Sequence, residues 1–527
     1  MRTIWRSLLW REWHEHKWKL AALSTIMLSL QIAIVWADPQ FVSVGSPIAA
    51  LFAIAPLAVF VGMAGAAGER ADGTIAFVRG LPARRWQLAA VRLVAGAATL
   101  LLSLVLAMLV PLAWLVVLQC LSNEGHESPF EGLGAFEAIA YSGLLAAGTA
   151  LSCFVWTMAF GVNKATEIRA GLAGAAILFV AFVCRIQIEY QRLPVRSDPT
   201  VAMQLVRCCD EIGPLGLTRL FHPVESPRRL DPFASPWRVV ALQLAAFVSL
   251  VGWTLLRYGE AATGGKSSAA AVAPTRDERR ASRRRTIRPA WRTTLAAVAW
   301  KQAREAAPFC VLGVALAVGM SLWLALMDSG NGTSAEHLAA AGVAVGMLTA
   351  LLVGIGTFVG ELQGRVLEFW RSRPIEPALW FWTKYLTGFA AVALLLAAPI
   401  ACGGARGFVV ILVSLPWLAI VYSLAVCLTC WVRHSFYAGV LGFTLPLYLA
   451  WLSAWLERRF GLVSFVGALR RASELGFGDW LIHVYLPFLF ITASLAAGLT
   501  IAAWLAVKRD LGPHRIAGAS RALHLSS

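Results

Sequence analysis

The sequence predicts an all-α polytopic membrane protein with about 12 transmembrane helices in two parallel six-helix repeats. Composition is the first reason: 58% of the 527 residues are hydrophobic and 14% are charged, whereas a soluble domain carries about 25% charged residues. The second is patterning, because apolar runs long enough to cross a bilayer recur along the whole chain. The third is an internal similarity, in which charged segments of the second half match those of the first.

Twelve apolar runs, each bounded by charged or turn-forming residues, are candidates for membrane helices of about 20 residues. They are Leu20–Ala37, Phe41–Ala67, Leu93–Leu118, Ala138–Gly161, Ala170–Cys184, Val239–Leu256, Ala306–Met327, Leu338–Gly360, Tyr385–Ala405, Gly407–Val432, Ser435–Leu456 and Leu481–Val507. The fifth run is short and needs flanking residues to cross the bilayer. Only Arg406 separates the ninth run from the tenth, so their ends are open.

Lys and Arg gather in every second loop, which sets the predicted orientation because cytoplasmic loops are enriched in both residues. With the N-terminus inside, the inner loops and termini hold 33 of the 46 Lys and Arg residues. Eight of the other 13 lie in one long outer loop, Arg185–Arg238, where the rule has little force. The prediction is a multi-pass protein of the cytoplasmic (inner) membrane with both termini cytoplasmic. The net charge of +17 is then explained by lipid contact, and no nucleic-acid partner is expected.

A charged segment, GERADGTIAFVRGLPARRWQ (Gly68–Gln87), separates the second run from the third. A related segment begins at Gly360 and separates the eighth run from the ninth. Laid on each other without gaps, they match Glu69 with Glu361, Phe77 with Phe369, Arg79 with Arg371, Pro82 with Pro374, and Arg92 with Lys384. Their equivalent positions in the two halves indicate an internal repeat.

The segments that precede the first and seventh runs are also alike, and each is expected to form an amphipathic helix at the membrane interface. Trp10 matches Trp300, Arg11 matches Lys301 and Glu15 matches Glu305. The predicted domains are therefore a six-span half (1–257), a basic cytoplasmic linker (258–292), a second six-span half (293–509) and a cytoplasmic tail (510–527). A further amphipathic segment, from Arg458, is expected to lie at the outer interface.

Catalytic and metal-binding patterns are missing from the sequence. The linker contains Gly265-Lys266-Ser267, but Glu260 stands where a phosphate-binding loop needs its first glycine. No H-E-x-x-H or G-x-S-x-G motif occurs, and Cys427-x-x-Cys430 has no second pair, so both cysteines are expected to pack between helices. An outer disulfide among Cys120, Cys184 and Cys208 or Cys209 stays open. The chain is therefore not expected to be an enzyme. It is not expected to be an ion-coupled carrier either, because its apolar runs lack a deep acid or base.

The charged segments resemble the permease subunits of ABC transporters of the ABC-2 type. In that family an amphipathic helix precedes the first span, and an acid, a Gly-Thr pair, an apolar pair, a Leu-Pro pair and a basic-aromatic segment follow the second. The first half has Glu69, Gly73, Thr74, Phe77, Arg79, Pro82, Arg84 and Arg85 in this pattern, and the second half keeps Glu361, Phe369, Arg371 and Pro374. The second half departs from the pattern: Gly364-Arg365 replaces Gly-Thr one place early, and Arg373 stands where Leu is expected.

The resemblance implies that each segment forms a short coupling helix that docks a separate ATPase subunit, with ATP and Mg bound by that partner. One chain then supplies a twelve-span pore, recruits two ATPase copies and most often exports its substrate. The alternative is a membrane scaffold or sensor that docks an ATPase without transport. An accessory protein in the membrane or on its outer side, and the substrate itself, stay open.

Overall fold

A computed structural model describes most of the chain. The described residues are 2–37, 42–71, 84–122, 133–164, 166–191, 208–220, 236–258, 294–327, 334–362, 376–401, 404–461 and 464–511. All regular elements in these ranges are helical, and no strand occurs among them. The chain divides into two compact units, Met1–Ser268 and Ala269–Ser527, here called unit 1 and unit 2.

Six long helices occur in the described part of unit 1, because its apolar runs satisfy their backbone groups within each segment. They are α1 (Arg2–Ala37), α2 (Val42–Ala71), α3 (Arg85–Ser122), α4 (Leu133–Gly161), α5 (Glu167–Gln191) and α6 (Pro236–Arg257). Helix α2 packs most extensively against α4, and α1 packs against α3. Small residues allow the close approach of α2 and α4: a Cβ at Gly62 would lie 2.8 Å from the Thr157 side chain.

The described part of unit 2 also contains six long helices, together with the short helix α12. They are α7 (Thr294–Met327), α8 (Ser334–Leu362), α9 (Pro377–Ala401), α10 (Gly404–Val432), α11 (Ser435–Phe460), α12 (Phe465–Glu474) and α13 (Leu486–Leu511). A helical turn, Phe477–Trp480, and one wide turn, Leu481–Tyr485, lead directly into α13. Helix α8 packs against both α7 and α10, and α10 packs against α13.

Ten helices among the described residues are long and apolar enough to cross a membrane, so the chain is a multi-pass membrane protein. They are α1 to α4, α6, α8 to α11, and α13 with the turns before it. Helix α5 contributes a shorter apolar stretch, Arg169–Leu178, in agreement with the short fifth run. Helix α7, which contains the seventh predicted run, is not among the ten.

The amphipathic segment expected after Arg458 forms α12, whose ends are set by local hydrogen bonds. Gly461 ends α11 with φ +70°, which glycine adopts without strain. Ser464 caps α12 by accepting a hydrogen bond from the Gly467 amide at 3.0 Å. The indole of Trp480, which is fully buried, donates to the Ala468 carbonyl at 3.0 Å and fixes α12 against α13.

The long loop of unit 1 also returns into the helix bundle. Residues 213–216 are buried against α4 and α6. The Gln243 amide, in α6, donates to the carbonyls of Glu211 and Gly213, each at 2.6 Å, and accepts from Ser152 of α4 at 3.2 Å. The polar side chain inside this apolar helix therefore satisfies backbone groups of a loop, as buried polar groups require.

Candidate functional site

The predicted docking segments lie mostly outside the described residues. Gly73, Thr74, Phe77, Arg79 and Pro82 of the first segment fall in the gap 72–83, and Phe369, Arg371 and Pro374 of the second fall in the gap 363–375. Glu69 belongs to the last turn of α2, but its side chain is not described. Arg84 and Arg85 are exposed at the start of α3. The helix ends that border both segments are described, and they carry charge clusters.

In unit 1 a buried cluster, called junction cluster 1, joins the first turns of α3 to α1. It consists of Glu12, His16, Arg92 and Thr99. The Arg92 guanidinium lies 3.5 Å from the Glu12 carboxylate and donates to the Gly65 carbonyl of α2 at 3.1 Å. His16 Nδ1 lies 3.0 Å from Thr99 Oγ1. One cation of α3 thus holds both the segment before the first apolar run and the end of α2.

The other residues predicted for the interfacial helix lie on the same part of α1. Trp10 is exposed with 67% of its surface accessible, as expected for a residue at the headgroup level. Arg11 is half-buried. Glu15 is exposed and forms an ion pair with Lys19 at 3.2 Å, one turn further along the helix. Glu12 and His16 are buried on the same part of α1. The position of this segment at the membrane interface stays a prediction.

In unit 2 the equivalent cluster, junction cluster 2, is centred on the buried carboxylate of Glu361 at the end of α8. Lys384 of α9 lies 2.9 Å from this carboxylate, and Lys301 of α7 forms an ion pair with its other oxygen. Lys301 also lies 3.8 Å from Glu305. Three residues predicted from the sequence, Lys301, Glu305 and Glu361, therefore meet in one cluster, while Trp300 lies exposed beside them.

Lys384 is the most enclosed member of junction cluster 2, with 1% of its side chain exposed. Its ammonium donates to the Thr357 carbonyl and lies 5.2 Å and 5.4 Å from the ring centroids of Phe358 and Trp380. A cation at this distance from aromatic rings is attracted by their electron-rich faces. The carbonyl, the carboxylate and the rings together replace the water that this ammonium lost on burial.

The two clusters use the same cation position but different acids. Arg92 and Lys384 are aligned in the sequence, and they donate to carbonyls of the aligned residues Gly65 and Thr357. In unit 1 the acid is Glu12 of the first helix. In unit 2 the acid comes from the second helix and belongs to the docking segment itself.

Glu12 and Lys384 were not predicted as site residues. Each residue carries a charge close to the start of an apolar run, where a membrane helix rarely carries one. This position was the signal that the sequence offered for them. Arg92 and Lys384 also matched in the repeat alignment. What the sequence lacked was the partner, since Glu12 and Arg92 are 80 positions apart and nothing local indicates that they pair.

Among the described residues, no group of three or more His, Cys, Asp or Glu side chains could hold a metal ion. The described cysteines are free thiols. No family model matches this chain, and no curated protein matches it.

Proposed function

We propose that this chain is the permease subunit of an ATP-driven ABC transporter, of the ABC-2 type, and that it exports its substrate across the cytoplasmic membrane. The observation that carries the proposal is junction cluster 2. Glu361, the acid that opens the second predicted docking segment, is held by Lys301 from the N-terminal part of α7 and by Lys384 from α9. A partner that moves the docking segment would therefore pull on two transmembrane helices at once.

Junction cluster 1 supports the same mechanism in unit 1. Arg92 follows the first docking segment by two turns of α3 and holds Glu12 before the first apolar run. Buried ion pairs of this kind are costly to break, because a lone charge remains in an apolar environment. Each docking segment therefore borders a buried ion-pair cluster that resists local deformation. Such a cluster favours rigid transmission of force over local bending.

The proposed architecture has twelve spans in two parallel six-helix repeats, with both termini in the cytoplasm. Helix packing within the units supports the repeat. In each unit the first helix packs on the third and the second on the fourth. A Cβ at Gly62 would lie 3.1 Å from the Phe154 carbonyl, and a Cβ at the aligned Gly354 would lie 3.1 Å from the Tyr422 carbonyl. The charge distribution of the loops supports the orientation.

The energy source in this proposal is a separate subunit. Two copies of an ABC ATPase bind ATP and Mg and dock on the segments 68–87 and 360–379, and the permease chain hydrolyses nothing itself. The first segment keeps the family pattern more closely than the second, so the two contacts are expected to differ in strength.

The docking proposal is tested by cross-linking in native membranes followed by purification of the chain. Replacing Glu69, Arg79 and Arg84 together (E69Q, R79A, R84A) should reduce recovery of the ATP-hydrolysing subunit at least tenfold, because a docking surface loses its charged contacts. The matched control removes two arginines on a different segment, the exposed Arg470 and the half-buried Arg471 (R470A, R471A), and should leave recovery unchanged. Equal recovery from all three forms would contradict docking at this segment.

Transport is separated from scaffolding by the ATPase rate of the reconstituted complex. In proteoliposomes that hold the native lipids and a cell extract fraction as substrate source, a transporter's ATPase rate rises with substrate. If the ATPase rate of an intact complex does not change with any extract fraction, the result would instead favour the scaffold or sensor.

A further inference from the structure

A chain of hydroxyl groups continues from junction cluster 2 into the interior of unit 2. The Tyr385 hydroxyl, next to Lys384 in α9, lies 2.8 Å from Ser423 Oγ of α10 and 3.0 Å from Thr500 Oγ1 of α13. Ser423 and Thr500 are 3.2 Å apart, which closes a triangle of three buried hydroxyls. Helices α9, α10 and α13 therefore meet at one polar point.

Two further contacts connect this triangle to α8. The Tyr422 hydroxyl of α10 donates to the Tyr385 carbonyl at 3.1 Å and lies 3.4 Å from Thr357 Oγ1. Thr357 is the residue whose carbonyl accepts from Lys384, and its hydroxyl accepts from Gln302 of α7 at 3.1 Å. The hydroxyl network, defined as Thr357, Tyr385, Tyr422, Ser423 and Thr500, thus joins α8, α9, α10 and α13.

Thr500 Oγ1 has three acceptors within hydrogen-bond distance: the Ala496 carbonyl at 2.8 Å, the Tyr385 hydroxyl at 3.0 Å and Ser423 Oγ at 3.2 Å. The Tyr385 and Ser423 hydroxyls lie 2.8 Å apart, and either can donate to the other. Removing one hydroxyl leaves a buried donor or acceptor unsatisfied at its neighbour, and that loss is transmitted to the next helix.

The hydroxyl network reaches well into the apolar part of the unit. Tyr385 lies eight residues from the start of α9 and Thr500 eleven from the end of α13, about 12 Å and 16 Å along helices that rise 1.5 Å per residue. A hydrocarbon core is about 30 Å thick. The network therefore extends from the helix ends at the docking segment to about the middle of the bundle.

Unit 1 has no hydroxyl at three of the aligned positions. Leu93 aligns with Tyr385, and the glycine contacts of α2 and α8 align Phe154 with Tyr422 and Val155 with Ser423. All three unit 1 side chains are buried and apolar. The repeat thus replaces one set of packing contacts with directional hydrogen bonds in unit 2.

We propose that the hydroxyl network couples junction cluster 2 to α13, so that the position of the second docking segment is read at Thr500, and that the aligned residues Leu93, Phe154 and Val155 of unit 1 form no equivalent hydroxyl link. This inference rests on the proposed function for the meaning of the docking segment, but the coupling itself is a property of the chain alone. It makes unit 2 the unit in which docking and the interior helices move together through this network.

The coupling is measured by hydrogen–deuterium exchange on the full chain in lipid nanodiscs, with no ATPase present. Thr500→Val should speed exchange roughly threefold to tenfold in peptides that cover 357–362 and 376–384, because one hydrogen bond of the network controls the opening of these helix ends. Thr500→Ser keeps the hydroxyl and should restore the wild-type rate. If the Thr500→Val variant fails to fold, Tyr385→Phe removes a neighbouring hydroxyl of the same network and should produce the same increase in the exchange rate.

Two buried threonines serve as matched controls. Thr492 lies on the same helix and its hydroxyl bonds only carbonyls of its own helix, at 2.7 Å and 3.1 Å. Thr254 lies on the last helix of unit 1 and bonds the Leu250 carbonyl at 2.8 Å. Neither Thr492→Val nor Thr254→Val should alter exchange at the docking-segment ends. Faster exchange confined to α13 in Thr500→Val, or an equal effect of Thr492→Val, would overturn the coupling without bearing on whether an ATPase docks.

Discussion

Lys384 and Lys301 hold the same carboxylate, Glu361, from very different surroundings. The Lys384 side chain is 1% exposed, whereas the Lys301 side chain is 44% exposed. Loss of the Lys384 ammonium leaves the Glu361 carboxylate next to an apolar cavity. Loss of the Lys301 ammonium leaves a position that water can fill. The two contacts therefore differ in energy although they look alike in sequence.

Lys384→Met should lower the free energy of unfolding by about 3 kcal/mol, because breaking a buried pair leaves an uncompensated charge. Lys301→Met should cost under about 1 kcal/mol, as for other solvent-exposed pairs. Thermal unfolding in one detergent, followed by tryptophan fluorescence, compares the two. The double variant Lys384→Met with Glu361→Gln should recover part of the loss. Equal midpoints for both single variants would show that Lys384 is not the dominant partner.

For individual residues, the sequence predicted which side chains belong to a cluster better than it predicted their ion-pair partners. It singled out Lys301, Glu305 and Glu361, and the structure brings these three together. It did not single out Glu12 or Lys384, because a buried ion pair depends on contacts between distant segments. Gln243, a polar residue inside an apolar run, bonds both Ser152 of α4 and the carbonyls of a returning loop.

Helices α8 and α10 approach so closely at Gly354 that the interface has no room for an added methyl group. A Cβ at Gly354 would lie 2.7 Å from Ala425 Cβ and 3.1 Å from a backbone carbonyl, whereas a Cβ at Gly356 meets nothing within 4 Å. Small residues at such interfaces are what allow membrane helices to pack tightly.

Gly354→Ala should destabilise unit 2 by about 1–3 kcal/mol, because the neighbouring backbone must move to admit the methyl group. Gly356→Ala, two residues along the same helix, should be neutral or stabilising by under about 1 kcal/mol. The unfolding midpoints of both variants, measured side by side, check the pair. A loss at Gly356 as large as that at Gly354 would contradict the described packing of α8 on α10.

Helix α12 is fixed by the buried indole of Trp480. Trp480→Ala should release it, because the substitution removes both the packing and the hydrogen bond to Ala468. Trypsin should then cleave after Arg470 or Arg471 several-fold faster, since proteolysis follows local unfolding. Phe490→Ala changes an exposed ring of α13 and should leave cleavage unchanged. Equal cleavage of wild type and Trp480→Ala would show that α12 is not held by this residue.

Element prediction succeeded where hydropathy and local signals were strong. Every predicted run overlaps a described helix, and α12 was expected from its amphipathic spacing. Helix ends were less predictable: α1 begins at Arg2 and α3 at Arg85, well before the apolar runs inside them. Charged residues continue a helix where their side chains reach a partner or the interface, and hydropathy does not detect this.

The distribution of basic residues predicts the membrane topology of the whole molecule. A fluorescent protein fused after residue 527 should be fluorescent, and alkaline phosphatase fused after residue 330 should be active, because the first folds inside the cell and the second outside. Phosphatase fused after residue 275, in the basic linker, should be inactive. The reverse pattern would place both termini outside and exclude docking of a cytoplasmic ATPase on either segment.

The proposed permease takes its energy from a second polypeptide. This dependence is tested by purification of the intact chain from native membranes in mild detergent, with measurement of ATP hydrolysis across the eluted fractions. We expect Mg-dependent ATP hydrolysis that co-elutes with the 56.9 kDa chain and with a second, ATP-binding subunit. An intact chain that elutes without any ATP-hydrolysing subunit, even after cross-linking in the membrane, would contradict it.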